Sequence, residues 1–151
     1  MAIFPRISIF IFLFFVVLPF SQSFDANEGP YKELTSYGFP LGLLPTGVSS
    51  YTINRTSGRF SLNLGESCRV TLPPDNYLAT YSPTITGKIV ENRIAEIEGI
   101  SVRAFFKWWG ITGIRSSDQD LVFEVGVVTA KYPSKNFDRS PDCEGRRSAS
   151  S

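Results

Sequence analysis

The sequence predicts a mainly β protein: an antiparallel β-barrel or sandwich-like barrel of about seven to eight short strands, with one short N-terminal α-helix. Three observations carry that expectation. Apolar and polar residues alternate in run after run beyond Tyr51. Turn-forming residues interrupt these runs at intervals of roughly ten residues, the spacing of small all-β domains. One stretch ahead of Tyr51 instead repeats its apolar residues at helical spacing.

That stretch comes first. Asp25-Ala-Asn-Glu28 has the spacing of a capping box, and Tyr31, Leu34 and Tyr37 form a short amphipathic face. Gly38 is placed to end the helix in a left-handed conformation, and Pro40 forbids its continuation. The segment Pro40-Leu-Gly-Leu-Leu-Pro45 then reads as a connector. Its prolines fix φ and remove donors, its glycine permits φ > 0, and its leucines can pack inward. We expect it to plug one end of the core.

The strands follow in order. Phe60, Leu62 and Leu64 alternate with Ser61 and Asn63, and Cys68, Val70 and Leu72 repeat the pattern until Pro73-Pro74. Tyr77, Ala79 and Tyr81 make another run that Ser82-Pro83 closes, and Ile85, Gly87 and Ile89 lead to the turn Glu91-Asn92. Ile94 to Ile97 resumes, with a bulge expected at Gly99. Ile100, Val102, Ala104 and Phe106 alternate cleanly, and Leu121, Phe123, Val125 and Val127 do so after the turn Ser116 to Asp120.

Residues 1–23 read as a cleaved secretory signal peptide. Arg6 is the only charge before Asp25, Ile7 to Leu18 is apolar except for Ser8, and Ser21-Gln-Ser23 offers small residues for cleavage. The apolar run is shorter than the roughly twenty residues a bilayer span needs, so no stable span is expected after cleavage; an uncleaved signal anchor is the alternative. Residues 24–143 form the single β-rich domain, and 144–151 a flexible tail. The expected location is the secretory pathway, extracellular or in the cell wall.

Without Arg6 the fifteen basic residues become fourteen, equal to the fourteen acids. A neutral chain lacks the basic footprint that nucleic acid demands. The even cysteine count in a secreted chain favours a Cys68–Cys143 disulfide over two free buried thiols. Asn54-Arg-Thr56 is the one Asn-x-Ser/Thr triplet, beside the turn Ser57-Gly58, and marks Asn54 for glycosylation.

Catalytic chemistry finds little footing. There is no histidine, which removes histidine-based triads, histidine general bases and the usual zinc sites. Gly47-Val-Ser-Ser-Tyr51 lacks the closing glycine of a nucleophile elbow, and Thr86-Gly-Lys88 lacks the first glycine of a phosphate loop. Glu96 and Glu98 share a strand face but alternate with apolar residues as a solvated face does; Asp118 and Asp120 sit in a turn. No catalytic residue, metal site or cofactor is assigned.

One constellation stands out. Ala104-Phe-Phe-Lys-Trp-Trp-Gly110 holds both tryptophans. Read as a strand, it turns Phe106 and Trp108 to one face, and Phe105, Lys107 and Trp109 to the other. Core packing alone can account for such a strand, because burying each aromatic contributes about 1.5–3 kcal/mol. A lined apolar pocket is the alternative, and its mouth would give an indole N–H a partner. Phe105, Phe106, Trp108 and Trp109 are therefore the candidate ligand-binding residues.

The segments Tyr31, Leu34, Pro40 to Pro45 and Ser50-Tyr51 resemble the start of the plant family called domain of unknown function 538. The likeness continues through Gly58-Arg-Phe60, Cys68, Thr84 to Ile89, Ile100-Ser-Val102, Trp108, Ile111, Phe123 to Gly126 and Pro133 to Cys143. It implies a β-rich, barrel-like fold with an N-terminal helix, often secreted. No established catalytic motif comes with it. Suggested activities include binding of lipid or another apolar ligand and an esterase-like action, with roles in stress responses and growth. The expectation is therefore a secreted, non-catalytic binder of an apolar small molecule or lipid. The alternative is an interaction protein of the cell wall or secretory pathway without a small ligand, and the third is an esterase-like hydrolase.

Overall fold

The computed structural model describes residues 29–145. The expected signal peptide, the Asp25 to Glu28 box and most of the expected tail lie outside them. Helix α1 spans Pro30–Ser36, with Gly29 at its N-cap and proline in its first turn, where no N–H is missed. It ends as the sequence predicts. Gly38 has φ +97°, and the N–H groups of Gly38 and Phe39 donate to the carbonyls of Thr35 and Leu34, the paired bonds of a Schellman motif.

Eight strands follow: β1 (Ser50–Ile53), β2 (Arg59–Asn63), β3 (Cys68–Leu72), β4 (Tyr77–Val90), β5 (Arg93–Ala104), β6 (Lys107–Ser117), β7 (Asp120–Val125) and β8 (Val128–Pro133). They form one antiparallel sheet in the order β1-β2-β4-β5-β6-β7-β8, with β3 also paired to β4. The mainly β class and the leading helix are as expected. Closure is not: the sheet is not closed into a barrel, and β1 and β8 end its order. Where β8 passes the β3–β4 turn, the described contact is a side-chain one, Tyr132 Oη to Asp75 at 3.5 Å.

The two runs on either side of Pro83 are one strand. The first half of β4 pairs with β3 up to Cys68↔Tyr81, and the second half pairs with β2 from Asn63↔Thr84. Pro83 sits where the strand changes partners and its ladder to β5 is interrupted. A residue without an N–H donor fits such a gap. Gly99 lies opposite this place with φ +112°, and a Cβ there would stand 2.7 Å from the Thr84 carbonyl oxygen, so the expected bulge is real.

The core joins Tyr31, Leu34, Phe39, Leu43, Leu44 and Val48 of the helix and connector to inward residues of the sheet, among them Val70, Ile85, Ile97, Ile111 and Leu121. Its two buried hydroxyls are satisfied: Tyr31 donates to the Pro45 carbonyl at 2.6 Å, and Tyr81 to that of Leu43 at 2.7 Å. Both bonds hold the connector, whose Leu41–Leu43 portion forms a short 3-10 turn. The connector thus packs into the core as expected. The C-terminal segment crosses over it, with Ser140 donating to the Leu41 carbonyl and the Thr46 N–H to that of Pro141.

Candidate functional site

The aromatic stretch is not one strand. Ala104 and Lys107 are a register pair of β5 and β6, and Phe105 and Phe106 form the two-residue turn between them. Both have positive φ, 52° and 67°, as a type I′ turn requires. That turn ordinarily takes Asn-Gly, and bulky residues in the left-handed region cost on the order of 1–3 kcal/mol each. The expected facing is therefore corrected. Phe105 and Phe106 project from the tip, 83% and 92% exposed, instead of alternating across a sheet.

The tryptophans, on β6, do face opposite ways. Trp108 is 40% exposed with the Arg103 guanidinium 5.7 Å from its ring centroid. Trp109 turns inward, and its indole N–H donates to the Ala104 carbonyl at 2.9 Å, inside its own hairpin. The Lys107 ammonium lies 4.9 Å from its ring centroid.

Trp109 borders an apolar pocket of about 340 Å³ in the curve of the sheet. Its wall takes Leu72 from β3, Val102 and Ala104 from β5, Ile111 from β6, Phe123 and Val125 from β7, and Ala130 and Tyr132 from β8. Phe137 contributes beyond β8, while Phe105 and Val127 line the pocket from the two turn tips. Tyr77 also lines it, so Tyr77, Tyr132 and nearby Asp75 make a polar corner. Partial burial pushes the Tyr132 hydroxyl above the usual tyrosine range, and Tyr77 and the Asp75 carboxylate push the same way.

Of the four sequence candidates, Phe105 and Trp109 line this pocket, whereas Phe106 and Trp108 do not. The β7–β8 residues were missed, because Leu121 to Val128 reads as one apolar run interrupted only by Glu124 and Gly126. Gly126 is the turn, with φ +64° at the first central position, where a type II′ turn takes glycine. It was the signal that could have divided the run.

A second space, about 70 Å³, lies between α1 and the sheet against Leu34, Leu43, Phe60 and Ile85. It is far below the size of ordinary small-molecule sites, about 300–1,000 Å³. The paired acids do not converge on either space. Glu96 and Glu98 are exposed, and Glu96 accepts from Arg59 at 2.5 Å on the outer surface. No His/Cys/Asp/Glu group among the described residues could hold a metal ion. No helix among them is long and apolar enough to cross a membrane.

Cys68 and Cys143 are disulfide-bonded, their Cα atoms 5.1 Å apart. The bridge fastens the C-terminal segment to β3, and Glu144 adds two bonds there: its N–H donates to the Arg69 carbonyl and its carboxylate accepts from Thr71. Asn54 is exposed between β1 and β2, and its Oδ1 accepts from the N–H groups of Thr56 and Ser57.

Compared with known proteins, residues 30–138 match the family model described as Protein of unknown function, DUF538. That span runs from the start of α1 past the last strand, so it covers the whole sheet. No curated protein and no solved structure matches the chain.

Proposed function

We propose that this chain, which belongs to the DUF538 family, is a non-catalytic binder of an apolar small molecule, such as a lipid. The observation that carries this reading is the 340 Å³ apolar pocket beside Trp109. It has the size and composition of ordinary small-ligand sites: mostly apolar walls with a few polar groups in one place. Each CH₂ moved from water into such a wall contributes about 0.8 kcal/mol, so a short acyl chain suffices for useful affinity. The Tyr77, Tyr132 and Asp75 corner can orient one hydroxyl or carbonyl at the end of that chain. The apolar leader and the disulfide support a secretory route for the protein.

The test fills the pocket. Ala130 is half-buried on β8 and faces the space. Ala130→Phe is expected to weaken binding of a fluorescent fatty acid by at least about tenfold, or 1.4 kcal/mol, while the melting temperature holds or rises. Trp108→Ala, outside the pocket, is expected to leave affinity unchanged. Equal affinity in the wild type and Ala130→Phe would remove the pocket from the account.

A further inference from the structure

The large exposed apolar side chains of the described residues gather at one end of the sheet. Phe105 and Phe106 occupy the β5–β6 turn, Val127 and Val128 the β7–β8 turn, and Trp108 the flank between; Val90 alone lies elsewhere. The two turns are neighbours because β6 pairs with both β5 and β7. A Cβ on Gly126 would touch the Trp109 ring at 4.0 Å.

Folding does not ask for this arrangement. The tip with φ positive at both central residues would be less strained with Asn-Gly, and exposed phenylalanines gain nothing from the core. The charges beside the β5–β6 tip are of one sign. Arg103 and Lys107 flank the Phe105-Phe106 turn, and no acid occurs in 100–117. On the β7–β8 hairpin the charges are paired, Lys131 with Asp120 and Glu124 with Arg93 and Arg115. Asp75, on the β3–β4 turn, faces Tyr132 in the pocket wall. Arg103 and Lys107 are held over Trp108 and Trp109, which places cations beside amphipathic rings.

We infer that these two hairpin tips dock the protein on the surface of an anionic lipid bilayer. Phe105, Phe106 and Val127 enter the boundary between headgroups and acyl chains, the tryptophans lie at the interface, and Arg103 and Lys107 meet the phosphates. The shape favours a bilayer over a folded partner. A stable protein interface takes roughly 800 Å² per side, whereas membrane insertion needs only a few penetrating side chains such as those gathered here. Because Phe105 and Val127 also line the pocket, a docked molecule turns its mouth toward the lipid. Transfer of a lipid through that mouth rests on the pocket reading above; the docking does not.

Flotation of the mature protein with vesicles of phosphatidylcholine, alone or mixed with phosphatidylglycerol, tests the inference. The wild type is expected to float with the mixed vesicles and much less with phosphatidylcholine alone. Phe106→Gly gives the second turn position the residue its φ favours and leaves the pocket lining intact. It is expected to reduce vesicle binding by at least about tenfold, with melting temperature and fatty-acid affinity maintained. Lys107→Gln is expected to reduce binding to the mixed vesicles selectively. Docking is overturned if the wild type ignores both vesicles or if Phe106→Gly floats as well as the wild type. It is also overturned if the wild type is a dimer that Phe106→Gly splits while neither binds vesicles, since a second copy would then cover the tips. Flotation that persists when the pocket fails to take fatty acid upholds the docking and removes only the ligand reading.

Discussion

Gly42→Val is expected to lower the yield of folded protein and to depress the melting temperature by roughly 10 °C or more. A Cβ at Gly42 would stand 2.1 Å from the Phe137 carbonyl oxygen and 2.7 Å from that of Arg139. Both obstacles are backbone, so no rotamer change relieves them. The 3-10 turn would have to lift off the C-terminal segment, loosening Leu43 and Leu44, which pack in the core. The bonds from Tyr81 to the Leu43 carbonyl and from Ser140 to that of Leu41 would go with it. Overpacking with yielding side chains costs about 1–3 kcal/mol, and unyielding backbone belongs at the upper end or beyond. Gly110→Ala is the control, since a Cβ there meets nothing within 4 Å. Similar melting temperatures for Gly42→Val and Gly110→Ala would show that the connector does not support the core.

Removing the disulfide is expected to have an effect of the same order. The bridge joins residues 75 apart in sequence, and on the chain-entropy model closing such a loop contributes about 4 kcal/mol. Net stabilities of domains are about 5–15 kcal/mol, so Cys68→Ala/Cys143→Ala should shift the urea midpoint strongly and leave a marginal fold. A loss below about 1 kcal/mol would show that hydrogen bonds hold the C-terminal segment unaided. The bridge and Gly42 secure the same segment against the connector and β3. Combining both changes should therefore cost less than the sum of the two, a coupling that a double-mutant cycle reads directly.

Which parts of this structure were legible in the sequence follows from what each signal measures. Alternation reports a half-buried strand, and Phe60 to Leu64 and Cys68 to Leu72 gave β2 and β3 correctly. Gly38 and Gly99 were legible because positive φ and close approach are local demands that glycine meets. Pro83 misled, because a proline that stops one ladder also suits a strand exchanging one partner for another. In β6, Ile111 and Ile114 are both buried although three apart, because a register shift against β7 interrupts the alternation. The Phe105-Phe106 turn was the least legible feature. Nothing in two phenylalanines signals a type I′ turn, and the tip conflicts with local propensity. Such conflicts concentrate where a residue serves something other than folding. The pocket was half legible for the same reason: Trp109 could be suspected from composition, whereas Ala130, Tyr132 and Phe137 join it only through the pairing of β7 with β8 and the segment that follows.

The most direct test is native mass spectrometry of the protein, expressed in a secretory host, treated with a glycosidase and purified without detergent. The account predicts a bound, chloroform-extractable apolar mass at fixed stoichiometry, absent from Ala130→Phe. A bare wild-type protein that also takes up no added fatty acid or sterol would contradict it, and would make the pocket beside Trp109 a feature of the fold alone.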